Sequence, residues 1–203
     1  MRRKRAIVAV LALAVALLAG VTLSQAARRA HKAPHCARRG SHTMYLNGGV
    51  RIYSTDPSFH DDGRIYGCLL AANKRVVLVE GLPPEGVNLD LPTLRVAAPF
   101  VAFHVFVVYH GATIGTGLDL VNLRTGAKSH GQPSGPVVGV GLTARGSLAW
   151  MDQPGAPYEV HKLDAGAQDP VLLDSGTDAD SFAVGGSHVY WTKAGMPRSA
   201  TMP

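Results

Sequence analysis

The sequence predicts an all-β domain of antiparallel repeats, and three observations predict it. After residue 26 the apolar residues fall in short runs rich in Val, Ile, Leu, Tyr and Phe, without helical periodicity. Gly, Asn, Asp and Pro bound those runs, and the chain holds 23 Gly and 13 Pro among 203 residues. Similar runs return at intervals near 40 residues. The composition, 46% hydrophobic and 17% charged, excludes a mostly disordered chain, a collagen and a coiled coil.

The chain opens with Arg2, Arg3, Lys4 and Arg5, followed by an apolar run from Ala6 to Leu23. Ser24-Gln25-Ala26 supplies small residues at the −3 and −1 positions of a cleavage site. Residues 1–26 read as a helical secretory signal, with the mature chain starting at Ala27. The same run is long enough for an uncleaved membrane anchor over residues 6–23, and both readings stand. Either one exports the rest of the chain, because the basic residues stay inside. Cys36 lies too far beyond the apolar run to carry a lipid anchor.

Residues 27–44 form a basic arm, with Arg28, Arg29, Lys32, Arg38 and Arg39 and no acidic residue. The formal charge of +6 belongs to the leader and this arm. Residues 45–203 hold all 14 acidic residues and are net negative, so no nucleic-acid surface is implied. The arm reads as a solvated terminus or as a weak contact for an anionic cell surface. Cys36 and Cys68 are the two cysteines, both in the exported part. A disulfide between them is expected, and their spacing is unlike the C-x-x-C of a redox pair.

From there the predicted strands run Gly49–Ser54, Arg64–Ala71, Arg75–Glu80, Thr93–Ala97, Phe100–Tyr109 and Gly117–Leu123. They continue as Val137–Leu142, Ser147–Asp152, Tyr158–Leu163, Pro170–Asp174, Asp180–Val184, Ser187–Lys193 and Arg198–Met202. Asn47-Gly48-Gly49, Asp62-Gly63, Thr125-Gly126, Arg145-Gly146, Gly185-Gly186 and Ala194-Gly195 are the turn signals between them. Several runs alternate as half-buried strands do. In Tyr158–Leu163, Glu159 and His161 face away from Tyr158 and Val160.

Val101-Ala102-Phe103, Leu148-Ala149-Trp150 and Val189-Tyr190-Trp191 read as copies of one strand, their aromatic ends 47 and then 41 residues apart. The second strand type pairs Asp119–Gly126 with Glu159–Gly166, Leu and Gly each displaced by 40. Arg64–Lys74 is an earlier, weaker relative. About four strands per period of this length is the pattern of propeller blades, and residues 45–203 have room for about four.

Leu118–Lys128 (LDLVNLRTGAK) resembles the strand and turn that recur in secreted bacterial β-propeller repeats of the TolB and WD40-like kind. Ser147–Asp152 (SLAWMD) and Ser187–Lys193 (SHVYWTK) resemble the preceding strand of such blades. The stretch from Cys36 to Cys68 is similar to the start of secreted proteins from high-GC bacteria with these repeats. The resemblance implies a propeller-like fold and an exported location, and it carries no catalytic residues. The chain lacks the Trp-Asp ending and Gly-His pair of true WD40 repeats. Four blades are fewer than most closed propellers have, so the ring is open, minimal, or completed by a partner.

No residue set marks a catalytic, cofactor or metal site. His31, His35, Cys36 and His42 cluster in the arm, but their spacing matches no established metal site. Asp174, Asp178 and Asp180 lie in DSGTDAD, where a polar turn explains them as well as Ca²⁺ would, since EF-hand order is absent. His60-Asp61-Asp62-Gly63 reads as a hairpin turn. Gly139 and Gly141 precede no helix, so they suit a crowded strand better than a phosphate loop. Ser134 sits one place too late for a G-x-S-x-G elbow. His104, His110, His161 and His188 define no triad, because a triad exists in space and not in spacing. Trp150 and Trp191, at equivalent repeat positions, suit packing between repeats better than sugar stacking.

These readings favour a non-catalytic binding module, secreted or held outside the cytoplasm, for a protein or an envelope polymer. The membrane is a partner only if residues 6–23 stay attached. The alternatives are a hydrolase or lyase of envelope carbohydrate, which needs ionisable side chains converging in a pocket, and a structural domain that self-associates through a long, uncharged edge strand.

Overall fold

The computed structural model describes Cys36 and residues 40–55, 64–80, 87–109, 112–155 and 157–203. The expected signal over residues 1–26, His31, His35, the expected turn at 60–63 and His110 lie outside the described residues. Fifteen strands are described: β1 His42–Asn47, β2 Val50–Ser54, β3 Ile65–Leu69, β4 Lys74–Val79, β5 Val87–Ala97, β6 Phe100–Tyr109, β7 Ala112–Asn122 and β8 Lys128–Gly131. Then come β9 Val137–Leu142, β10 Ser147–Asp152, β11 Tyr158–Asp164, β12 Val171–Thr177, β13 Ala183–Gly185, β14 His188–Lys193 and β15 Met196–Thr201. They form four antiparallel sheets, β1–β4, β5–β8, β9–β12 and β13–β15, each a consecutive meander. No described helix is long and apolar enough to cross a membrane.

The sheets stack in chain order, and the apolar clusters show it. Val50, Ile52, Ile65 and Leu78 of the first sheet bury against Val101, Phe103, Val121 and Leu123 of the second. Ala102, Leu118 and Leu120, on the second sheet's other face, pack on Leu148, Trp150 and Leu163 of the third. Ala149, Met151 and Val160 then meet Val189 and Trp191 of the fourth. Each middle sheet is thus apolar on both faces, and the period-two alternation of side chains sends successive residues into successive cores. The repeat seen in sequence is real in this sense. Phe103, Trp150 and Trp191 each sit on the second strand of a sheet and point at the sheet before it.

Among the described residues no sheet precedes the first. Its outer face carries Tyr53 and Tyr66, stacked at 5.4 Å, and the Cys36–Cys68 disulfide closes over them. The predicted bridge is therefore present. Arg51 reinforces it: its guanidinium donates to the Cys36 carbonyl and, at 2.9 Å, to Ser41 Oγ, and lies 4.6 Å above the Tyr53 ring.

Most strands fall where the runs predict them. β1 and β8 are the additions. β1 starts inside the stretch read as the arm, and β8 (KSHG) is a short edge strand with too few apolar residues to stand out. β5 and β7 extend further than their runs. Glu159 and His161 face away from Tyr158 and Val160 as the alternation predicts, and because the third sheet is covered on both faces His161 is buried there.

Polar links join neighbouring sheets as well. Lys128 Nζ donates to the Leu78 carbonyl at 2.9 Å, and Arg95 Nε to the Val140 carbonyl at 2.9 Å. The glycines of β9 mark where the third and fourth sheets close most tightly. A Cβ on Gly139 would lie 2.7 Å from the Phe182 ring, and one on Gly141 would lie 2.2 Å from Val184 Cγ2. This is the crowded strand that the glycine spacing suggests.

Two stability outcomes follow from this packing. Gly141→Ala should lower the free energy of unfolding by about 1 to 3 kcal/mol, because the added Cβ would overlap the stiff Val184 side chain. Cys36→Ser should lower it by about 3 to 4 kcal/mol, the loop-entropy expectation for cysteines this far apart. Urea titration of each variant against the parent, under oxidising conditions, checks both.

Candidate functional site

Three ionisable side chains converge on the face of the third sheet that looks toward the second. Asp152 ends β10; Glu159 and His161 lie on β11. Antiparallel pairing sets Trp150 opposite His161 and Asp152 opposite Glu159, so all four side chains project to one side. One ligand atom from each of Asp152, Glu159 and His161 lies within 4.8 Å of the others.

His161 Nε2 is 3.2 Å from Glu159 Oε2 in hydrogen-bond geometry, and 3.3 Å from Asp152 Oδ1. The contact with Asp152 is within ion-pair range but lacks hydrogen-bond geometry. Asp152 Oδ1 is left buried with no hydrogen-bond partner among the described residues. The other Asp152 oxygen accepts the Ser134 backbone N–H at 2.8 Å. Trp150 stacks flat on the His161 ring, centroids 5.2 Å apart and planes 11° apart, which fixes the imidazole. The Asp152 side chain is 0% exposed, His161 11% and Glu159 24%. Access to the group is therefore from the Glu159 side.

Burial pushes the Asp152 carboxyl up, but His161 and the Ser134 N–H outweigh it and hold the group below the usual carboxylate range. The Trp150 indole N–H adds a smaller pull in the same direction without reaching hydrogen-bond geometry. Burial pushes His161 down; its contacts with Asp152 and then Glu159 prevail, and the ring is held above the ordinary imidazole value.

The other residues singled out in the sequence stand apart from this group. Cys36 and Cys68 are bonded to each other. His42 is exposed on β1. His104 bonds to Thr116 Oγ1 and lies 3.8 Å from Asp90, and burial outweighs that carboxylate to lower its pKa. The aspartates of the 174–180 turn do structural work. Asp174 accepts Lys193 Nζ at 2.8 Å and Trp191 Nε1 at 2.9 Å, and Lys193 leads in holding it below the carboxylate range. Asp178 accepts the Thr192 hydroxyl and the Ala194 and Gly195 N–H groups, which clamps the β14–β15 turn. Asp180, in the connection between β12 and β13, takes the left-handed conformation at φ 58°. Trp150 and Trp191 are buried between sheets.

Ser134 enters through its backbone and not as a nucleophile. Asp152 and Glu159 were not singled out in the sequence. Their signal was available: a strand ending in Asp, a hairpin, then E-x-H puts all three on one face. A shallow cleft lined by Leu120, Ser129, Ala165 and Gly166 lies at the opposite end of the same two sheets.

No family model and no curated protein matches the chain. Among solved structures the chain is similar to TolB from Acinetobacter baumannii, at 12% identity and a TM-score of 0.30. That likeness covers 75% of this chain and 40% of the TolB chain.

The Asp152–His161 pair has a defined pH signature. The raised His161 value contributes stability below the imidazole's ordinary pKa, lost as pH rises through the folded value. The lowered Asp152 value contributes above the ordinary carboxylate pKa, lost as pH falls through the folded value. Their coupling is greatest between roughly pH 4 and 6.5. A double-mutant cycle with Asp152→Asn and His161→Gln should read about 0.5 to 3 kcal/mol in that window. The coupling should fall toward zero in alkaline buffer.

Proposed function

We propose that this protein is a non-catalytic binding module that works outside the cytoplasm and takes a protein partner on the uncovered face of its fourth sheet. One observation carries this. Ala102 of the second sheet and Ala149 of the third are fully buried beneath the sheet that follows, and the matching residue of the fourth sheet is Tyr190, 46% exposed. Tyr190 stacks on His188 at 6.0 Å, with Ser199 and Ala183 flanking it across the sheet. An aromatic anchor among small residues is the composition of a protein-binding patch. The Cys36–Cys68 disulfide supports the exported location, since such bonds persist in oxidising compartments.

The two alternatives find less support. A carbohydrate-active enzyme would need its converging groups within reach of a polymer, and Asp152 is fully buried. Self-association by strand pairing would use the outer edge of β15. Ala194 and Gly195 both have positive φ and form a two-residue turn, so Lys193 and Met196 are a hydrogen-bonded pair. The Met202 N–H donates to the Ser187 carbonyl at 2.7 Å, which fixes the same alternation. The backbone nitrogen of residue 197 therefore points outward, and that residue is proline. The edge lacks a donor where a second strand would need one.

The test is co-sedimentation of the oxidised protein with envelope fractions, with chemical cross-linking to identify the partner. Tyr190→Lys should abolish retention while shifting stability by no more than about 0.5 kcal/mol. Equal retention of the variant would sink the assignment of this face. A Tyr190-dependent dimer in light scattering would assign the face to a second copy of the chain.

A further inference from the structure

We propose that Asp152, Glu159 and His161 form a binding site for a divalent transition-metal ion, Zn²⁺ by its geometry, held through one oxygen of each carboxylate and His161 Nε2. This inference is independent of the partner face on the fourth sheet.

The spacing fits such an ion. Ligands placed tetrahedrally at Zn–N and Zn–O distances stand about 3.4 Å from one another. His161 Nε2 lies 3.3 Å from Asp152 Oδ1 and 3.2 Å from Glu159 Oε2. The imidazole nitrogen thus stands at ligand separation from each carboxylate, and all three atoms lie within 4.8 Å of one another.

Asp152 provides the second, independent observation. It is a carboxylate with no exposed surface, and its Oδ1 faces the cluster without a hydrogen-bond donor. Oδ1 pairs with His161 Nε2 at 3.3 Å without a hydrogen bond, and an ion held between the two would supply the bond that this buried oxygen lacks. Two carboxylates against one imidazole leave the group net negative in either state of the ring, and a dication would balance that charge.

Supporting contacts are in place too. The Ser134 N–H holds Oδ2 so that Oδ1 is the atom presented, and Trp150 holds the imidazole plane. Contacts of this kind orient ligands in metal sites. Glu159, the most exposed of the three, leaves a route of entry.

The repeat itself argues that these side chains are not there for packing. At the equivalent positions the second sheet has Val105, Gly117 and Asp119, and the fourth has Lys193, Met196 and Arg198. The scaffold tolerates an apolar pair or a basic set there. Of these three sheets, the third alone sets three ligand types at these positions. Binding would be a simple exchange: the ion takes the lone pair on Nε2, any proton on that nitrogen goes to solvent, and no bond to carbon changes.

The experiment is calorimetric titration of ZnCl₂, and separately MnCl₂, into the chelator-treated full-length protein, with thermal unfolding at each end point. One Zn²⁺ per chain and a raised melting temperature are expected, with Mn²⁺ weaker as the Irving–Williams order requires. Glu159→Gln, at the partly exposed position, should keep the fold and lose at least tenfold in Zn²⁺ affinity. Asp152→Asn should lose more. Absence of Zn²⁺ binding by the parent at millimolar metal would overturn the proposal. So would binding that survives both variants and disappears in His31→Ala/His35→Ala, which would place the ion on the N-terminal histidines.

Discussion

Every sheet in this protein is only one layer thick and has two faces to cover. That constraint organises the rest. A three- or four-stranded sheet cannot hold itself together in water, so each must bury its apolar side chains against a neighbour. The second and third sheets do this on both faces, which is why Phe103, Leu120, Trp150 and Met151 are all buried although they belong to alternating positions of short strands. The two outer sheets face the difficulty that a stack has ends. At the first end the solution is covalent: Cys36, drawn in by its bond to Cys68 and held by Arg51, shields a pair of tyrosines. At the last end the exposed Tyr190 stands where a buried alanine stands elsewhere.

Much of this architecture could be read from the residues, and the reasons are physical. Runs such as Phe100–Tyr109 and Ser147–Asp152 are bounded by glycine or proline turns and are mostly apolar, as strands covered on both faces must be. The recurrence of Phe103, Trp150 and Trp191 marks the same position on the second strand of three successive sheets. Short polar edges such as β8 escaped, because an edge strand is held by backbone hydrogen bonds that leave little trace in composition.

The acid–histidine group was less legible. Each member taken singly looks like the outward residue of an alternating strand. What makes them a group is the register of the β10–β11 hairpin and the presence of the second sheet above them. Neither is a local property. The sequence did show where polar residues would face, and the stacking of sheets then decided which of those faces were buried. The aspartates at 174–180 show the converse: conspicuous in sequence, they turn out to be occupied with Lys193, Trp191 and the β14–β15 turn.

The strictly consecutive order of the sheets also bears on how the chain comes to be folded. No described strand pairs with a strand from a distant part of the sequence. A chain emerging N-terminus first could therefore complete one sheet while the next is still arriving, each finished sheet offering the surface on which its successor condenses. The Cys36–Cys68 bond, spanning only 32 residues, would close within the first of these steps. Assembly would run in one direction, like a zipper started at a covalent stop.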